Sequence, residues 1–131
     1  MREILFRGKQ LFNCDWTFGG FHSRFGESFI IGISKTMRID VIQVYTETVG
    51  QYTGVTDKNG NKIFEGDILL FDYTGKNSGV NGKASVLFEN GKFGVKWGTH
   101  NEFVCLDGFA NTTIEVIGNI HDNPELLGGA E

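Results

Sequence analysis

The side chains of this 131-residue chain best suited to nucleophilic or metal chemistry are Cys14, His22, His100, Cys105 and His121. A thiolate beside an imidazole makes a nucleophile, and closely spaced cysteine or histidine pairs present zinc from one local element. No cysteine pair or histidine pair here stands at such a spacing. Scattered structural or surface roles follow, with both thiols reduced and buried as packing residues. No catalytic residue, metal or cofactor is expected from them.

Oxygen ligands offer a second possibility. Asp57, Asn59, Asn61 and Glu65 begin like a calcium loop, because oxygens two residues apart converge on a hard cation. The match then fails, since Lys62 stands where the loop needs glycine and Ile68 where it needs a bidentate acid. An Asn59-Gly60 turn with exposed polar neighbours accounts for the same residues. Glu65 and Asp67 flank Gly66, so they are expected to bond turn amides rather than to act as an acid/base pair. Gly75 and Gly79 lack the Lys-Ser/Thr that a phosphate loop requires.

Aromatic residues form the third set. Trp16, Phe18 and Phe21 lie close to His22 and Arg24, with Phe25 and Phe29 following. Small β-proteins stack the bases of single strands on such platforms. The same residues also fill cores and subunit contacts, and that use is favoured here. Residues 1–50 hold six basic and five acidic side chains, and residues 51–131 hold six and eleven, so the second part repels a polyanion.

These side chains must be positioned by short strands. Nineteen glycines are scattered along the chain rather than gathered in a linker. Asn59-Gly60, Asn81-Gly82, Asn90-Gly91 and Asp107-Gly108 each read as a hairpin turn. Alternation predicts a hairpin of 83–88 with 92–97, with Val86, Phe88, Phe93, Val95 and Trp97 buried. Further strands are expected at 4–7, 17–22, 28–33, 38–45, 68–73 and 112–117. Residues 103–106, apolar on both faces, read as a central strand. No sustained helical stripe occurs; only Asn123-Pro124-Glu125-Leu126-Leu127 predicts a single helical turn, capped by Asn123 and ended by Gly128-Gly129. The expected fold is all-β in one domain over 1–131: an N-terminal sheet region over 1–45, then a small barrel-like, SH3-like meander over 46–131 closed by the C-terminal strand. The longest apolar run is too short to cross a membrane, and the N-terminus has no signal-like apolar region, so a cytoplasmic location is expected.

Three blocks exceed generic β-sequence: Met1-Arg2-Glu3-Ile4 with Phe6-Arg7-Gly8; Glu47 to Ile68, containing Gln51-Tyr52-Thr53-Gly54 and Asp57-Lys58-Asn59-Gly60-Asn61-Lys62-Ile63-Phe64-Glu65-Gly66-Asp67; and Ile117 to Leu127. In content and order the chain resembles the YopX family of phage and prophage proteins. The resemblance implies a small, mostly β protein of the bacterial cytoplasm, encoded by a phage or integrated element, with no established activity and no catalytic residue to carry over.

Two roles are open to Gln51–Asp67. In the first it is a structural joint, its turns set by Gly54, Gly60 and Gly66 and its anchors Tyr52, Ile63 and Phe64. In the second, Gln51, Tyr52, Asp57, Lys58, Asn59, Gly60, Lys62, Glu65, Gly66 and Asp67 form an interaction surface. The expected function is that of a non-enzymatic accessory protein acting through contacts with itself and with a phage or host protein. Nucleic-acid binding through Trp16, Phe18, Phe21, His22 and Arg24 is the second reading.

Overall fold

A computed structural model describes residues 3–33, 36–73, 80–97, 102–106 and 114–128. Gly75, Gly79, His100, Asp107-Gly108, Gly129 and the start of the 112–117 strand lie outside the described residues, as does the Trp97 side chain. The chain forms two compact units, Met1–Tyr52 and Thr53–Glu131.

In the first unit, β-branched and aromatic runs become β1 (Phe6–Lys9), β2 (Trp16–Arg24), β3 (Glu27–Ile33) and β4 (Ile39–Val44). A 3-10 turn at Thr46–Thr48 leads into β5 (Gly50–Thr56), which runs on into the second unit. With β6 (Lys62–Phe64), the sheet order is β4-β3-β2-β1-β5-β6. The sheet curls: beyond β1, Gln10 bridges Val44, the Leu11 N–H donates to the Gln43 carbonyl and the Tyr45 N–H to the Lys9 carbonyl.

Antiparallel register assigns the faces, because directly opposed residues share one. Phe6, Phe21, Ser28, Ile30 and Val44 point inward; Ile30 and Val44 are fully buried, and the Phe6 and Phe21 rings lie 5.5 Å apart. The Ser28 and Thr46 hydroxyls bond to each other, and the Thr48 hydroxyl accepts from the Lys9 N–H and donates to the Tyr45 carbonyl. These bonds satisfy polar groups beside the small core.

The second unit adds β7 (Asp67–Tyr73), β8 (Val80–Glu89), β9 (Lys92–Trp97), β10 (Glu102–Cys105) and β11 (Ile114–Asn119), in the order β10-β9-β8-β7-β11. Its core joins Ile63, Leu69, Phe71, Ala84, Val86, Val95, Leu106 and Ile114. The all-β expectation holds, but the sheet does not close into a barrel, and β10, expected to be central, is an edge strand. β11 is the other edge. Its outward main-chain groups are taken by a loop rather than by a strand: the Ile114 carbonyl accepts from the Lys58 N–H, and the Val116 N–H donates to Asp57 Oδ2.

Asn90 and Gly91 both adopt positive φ (54° and 79°), and the predicted hairpin forms with Val86 opposite Val95 and Phe88 opposite Phe93. Phe88, expected to be buried, is 51% exposed, because the hairpin tip extends past the core; its ring packs against Phe93 at 4.8 Å between centroids. Phe88→Ala is therefore expected to cost about 1 kcal/mol, against roughly 2–3 kcal/mol for Val86→Ala. Paired urea titrations measure the contrast, and equal losses would contradict it. Asn81-Gly82, expected to be a turn, lies inside β8, where cross-strand pairing with β7 overrides turn propensity.

The predicted helical turn forms as α1 (Glu125–Gly128). Asn123 is not its side-chain cap: Asn123 Oδ1 accepts from the Asn119 N–H, and the Asn123 carbonyl receives the Leu126 N–H. Asn119 Oδ1 in turn accepts from the His121 and Asp122 N–H groups. Cys14, expected to be buried, is exposed in the β1–β2 loop, whereas Cys105 is half-buried; both are free thiols. Among the described residues no helix is long and apolar enough to cross a membrane.

Candidate interaction site

The 57–61 loop is built around one carboxylate. Asp57 Oδ1 accepts from the Asn59 N–H at 2.9 Å and the Asn61 N–H at 2.8 Å, and Oδ2 accepts from the Val116 N–H at 2.9 Å and the Asn61 side-chain amide at 3.4 Å. The side chain is buried, at 2% exposure, so the expectation of an exposed polar turn residue fails here. Burial alone raises the carboxyl pKa, but the hydrogen bonds from Val116, Asn61 and Asn59 outweigh it and hold the pKa below its ordinary 3.8. Both oxygens thus face N–H donors, the wrong polarity for sharing a cation. Among the described residues no group of three or more His, Cys, Asp or Glu side chains is placed to hold a metal.

The next turn repeats the device. Asp67 is buried and its Oδ2 accepts from the Phe64 N–H at 2.8 Å, the amide-bonding use expected of it. Gly66 is buried at φ 93°, with its N–H donating to the Val86 carbonyl and its carbonyl accepting from the Ile120 N–H. Tyr52, Ile63 and Phe64 are buried; Glu65 and Gln51 are half-buried. Lys58, Asn59, Gly60 and Lys62 are exposed, and Lys58 Nζ lies 3.4 Å from Glu115 on the surface, a pair worth about 0–1 kcal/mol. The residues proposed as one interaction surface therefore divide, with Tyr52, Asp57, Gly66 and Asp67 internal, Gln51 and Glu65 half-buried, and only the lysines and their turn neighbours fully outward.

The aromatic set divides differently. Register places Trp16, Phe18, His22 and Arg24 on the outer face of the first sheet, while Phe21 points to the opposite, core side. Arg7 and Lys9, which sequence reasoning left out, share the outer face. The Arg7 guanidinium lies 4.5 Å from the Trp16 ring centroid and Lys9 Nζ 5.6 Å, both within cation–π range. Their alternation about Gly8 was the available signal. His22 packs against Phe29 with ring centroids 6.4 Å apart.

The same face continues across β3 and β4 as Phe29, Ile31, Val41 and Ile39. Phe18 is 49% exposed, Ile31 36%, Val41 60% and Ile39 71%. A strip of large apolar side chains is thus open on one sheet face, with Arg24 exposed at its end and Arg7 buried, the kind of surface that marks a contact site.

A family model described as YopX protein matches residues 21–128. Among solved structures, the chain is similar to the crystal structure of protein EF1440 from Enterococcus faecalis, with 26% identity, a TM-score of 0.58, and coverage of 97% of this chain and 99% of that one. No curated protein matches the chain.

Proposed function

The chain belongs to the YopX family, and from that premise we propose that it is a non-enzymatic accessory protein of a phage or prophage, working through protein contacts in the cytoplasm of the bacterial host. The supporting observation is the open apolar strip of Phe18, Ile31, Val41 and Ile39 on the outer face of β2–β4. A folded domain gains from covering such a strip by association, since each buried Å² of apolar surface contributes about 25 cal/mol. The carboxylates of Asp57 and Asp67, by contrast, are directed inward and support the fold.

Affinity capture from prophage-induced cells tests the reading. Phe18→Ser and Ile31→Ser should each lose a specifically captured protein that Lys62→Ala retains, with thermal melts showing all variants folded. Capture unchanged by the serine variants would remove the strip from consideration.

The second reading, single-stranded nucleic acid, is favoured by one observation: Trp16, Phe18, His22 and the exposed Arg24 share a face with the half-buried Lys9, whereas Arg7 on that face is buried, at 7% exposure. A salt-sensitive mobility shift of single-stranded oligonucleotides, lost in Phe18→Ser, would establish it in place of the first.

A further inference from the structure

We infer that the Asp57–Asn61 loop and the Glu115 carboxylate together guard the β11 edge, closing it to strand pairing with a second copy of this chain. The inference goes beyond the contact role proposed for β2–β4 and concerns a different segment.

The edge is a ready template. Ile114, Val116 and Ile117 favour strand, β11 holds neither lysine nor proline, and among the described residues β7 is the one strand paired with it. The Ile114 carbonyl and the Val116 N–H face away from β7 and meet the loop, the first at 3.0 Å from the Lys58 nitrogen and the second at 2.9 Å from Asp57 Oδ2. A carboxylate oxygen thus stands where an added strand would bring a carbonyl. The loop itself closes on its own bonds: the Asp57 N–H donates to the Asn61 carbonyl, the Gly60 N–H to the Asp57 carbonyl, and the Asn59 and Asn61 N–H groups to Asp57 Oδ1. The sheet therefore ends here in a turn, which does not extend the ladder.

Glu115 is the second guard. Two copies of β11 without the loop would pair antiparallel about a two-fold axis at Glu115, with Ile114 opposite Val116 twice, since these residues carry the outward main-chain groups and the register shifts after Val116. That axis sets two Glu115 carboxylates directly opposite each other, an unfavourable cross-strand pair. Within one chain the same carboxylate lies 3.4 Å from Lys58 Nζ, so the loop supplies the charge that a second copy of β11 lacks.

Sedimentation velocity on the full chain, over a concentration series with wild type as the reference, tests this. Asp57→Ala and Glu115→Thr each remove one guard and should keep the wild-type association state, whereas the double variant should self-associate at least ~10-fold more tightly. Charge then identifies the edge. Asp57→Ala and Asp57→Ala/Glu115→Lys should each fail to pair with their own kind, like charges being opposed, yet pair with each other when mixed. Aggregation through unfolding would not follow the charge at position 115. Lys58→Pro replaces Asp57→Ala if the alanine variant does not fold, because it removes the N–H bonded to Ile114 at the second position of a turn, where proline is favoured. Association of the Asp57→Ala chain whatever stands at 115, or no added association in the double variant and the mixture, overturns the inference. Serine at Phe18 or Ile31 leaves both guards in place, so the capture result with those variants stands or falls separately.

Discussion

Asp57→Ala is expected to lower the unfolding free energy by about 3 kcal/mol, a large share of the roughly 5–15 kcal/mol that holds an ordinary domain together. Three backbone N–H groups lose a charged acceptor at once. Those of Asn59 and Asn61 lie in an exposed turn and recover water in part; that of Val116 sits on β11, facing the loop. Orphaned buried donors cost about 1–3 kcal/mol each, which sets the scale. Asp57→Asn keeps an acceptor oxygen and should lose less. Urea unfolding measures both, and a loss below about 1 kcal/mol for the alanine variant would show that β11 does not depend on this loop.

The same residue makes an acid-dependent prediction. Its folded pKa lies below the ordinary 3.8 because the hydrogen bonds to the carboxylate outweigh burial. A group with a depressed folded pKa contributes stability that is present above its unfolded pKa and lost as pH falls through the folded value. The gap between wild type and Asp57→Ala should therefore be constant near neutrality and narrow below about pH 4. A gap that widened on acidification would contradict the assignment.

Gly66→Val is expected to cost about 2–4 kcal/mol and Gly60→Val about 1 kcal/mol, while Lys58→Ala and Lys62→Ala stay within about 0.5 kcal/mol of wild type. Both glycines adopt positive φ, at 93° and 83°, where a β-branched residue is strained. Their surroundings separate them. Gly60 is exposed, and a Cβ there would meet nothing within 4 Å, so backbone strain is the whole effect. Gly66 is buried, and its N–H and carbonyl tie the turn to Val86 and Ile120 at once. Relaxing the turn to relieve a valine would break both bonds. Thermal melts of the four variants give the order directly; a Gly66→Val protein as stable as Lys62→Ala would remove this turn from the list of structural determinants.

What could be read in the amino-acid order was local. Period-two alternation and Asn90-Gly91 specify the β8–β9 hairpin because side-chain direction and turn handedness are properties of a few neighbouring residues. Gly66 and Asp67 were legible for the same reason, as was the single C-terminal helical turn. The family blocks identified the relationship without supplying a chemistry. The calcium-like Asp57-Asn59-Asn61 spacing carried a second reading, an Asn59-Gly60 turn with exposed polar neighbours, but that the Asp57 carboxylate accepts from the amides two and four residues on came from the structure.

Only the tertiary structure decided the rest. Asp57 is buried because Val116, 59 residues away, brings a third N–H to it, and a partner at that separation leaves no local mark. Phe88 and Phe21 carry the same alternation signal as their buried neighbours. Whether each is covered depends on how far the hairpin outruns the core and which face of the sheet the curl encloses. Asn81-Gly82 is strand because β7 pairs with it, and β10 is an edge because strand order is a matter of long-range pairing. The outer strip of Phe18, Ile31, Val41 and Ile39 gathers side chains from three strands, and register, fixed by packing on the inner face, is what sets them side by side.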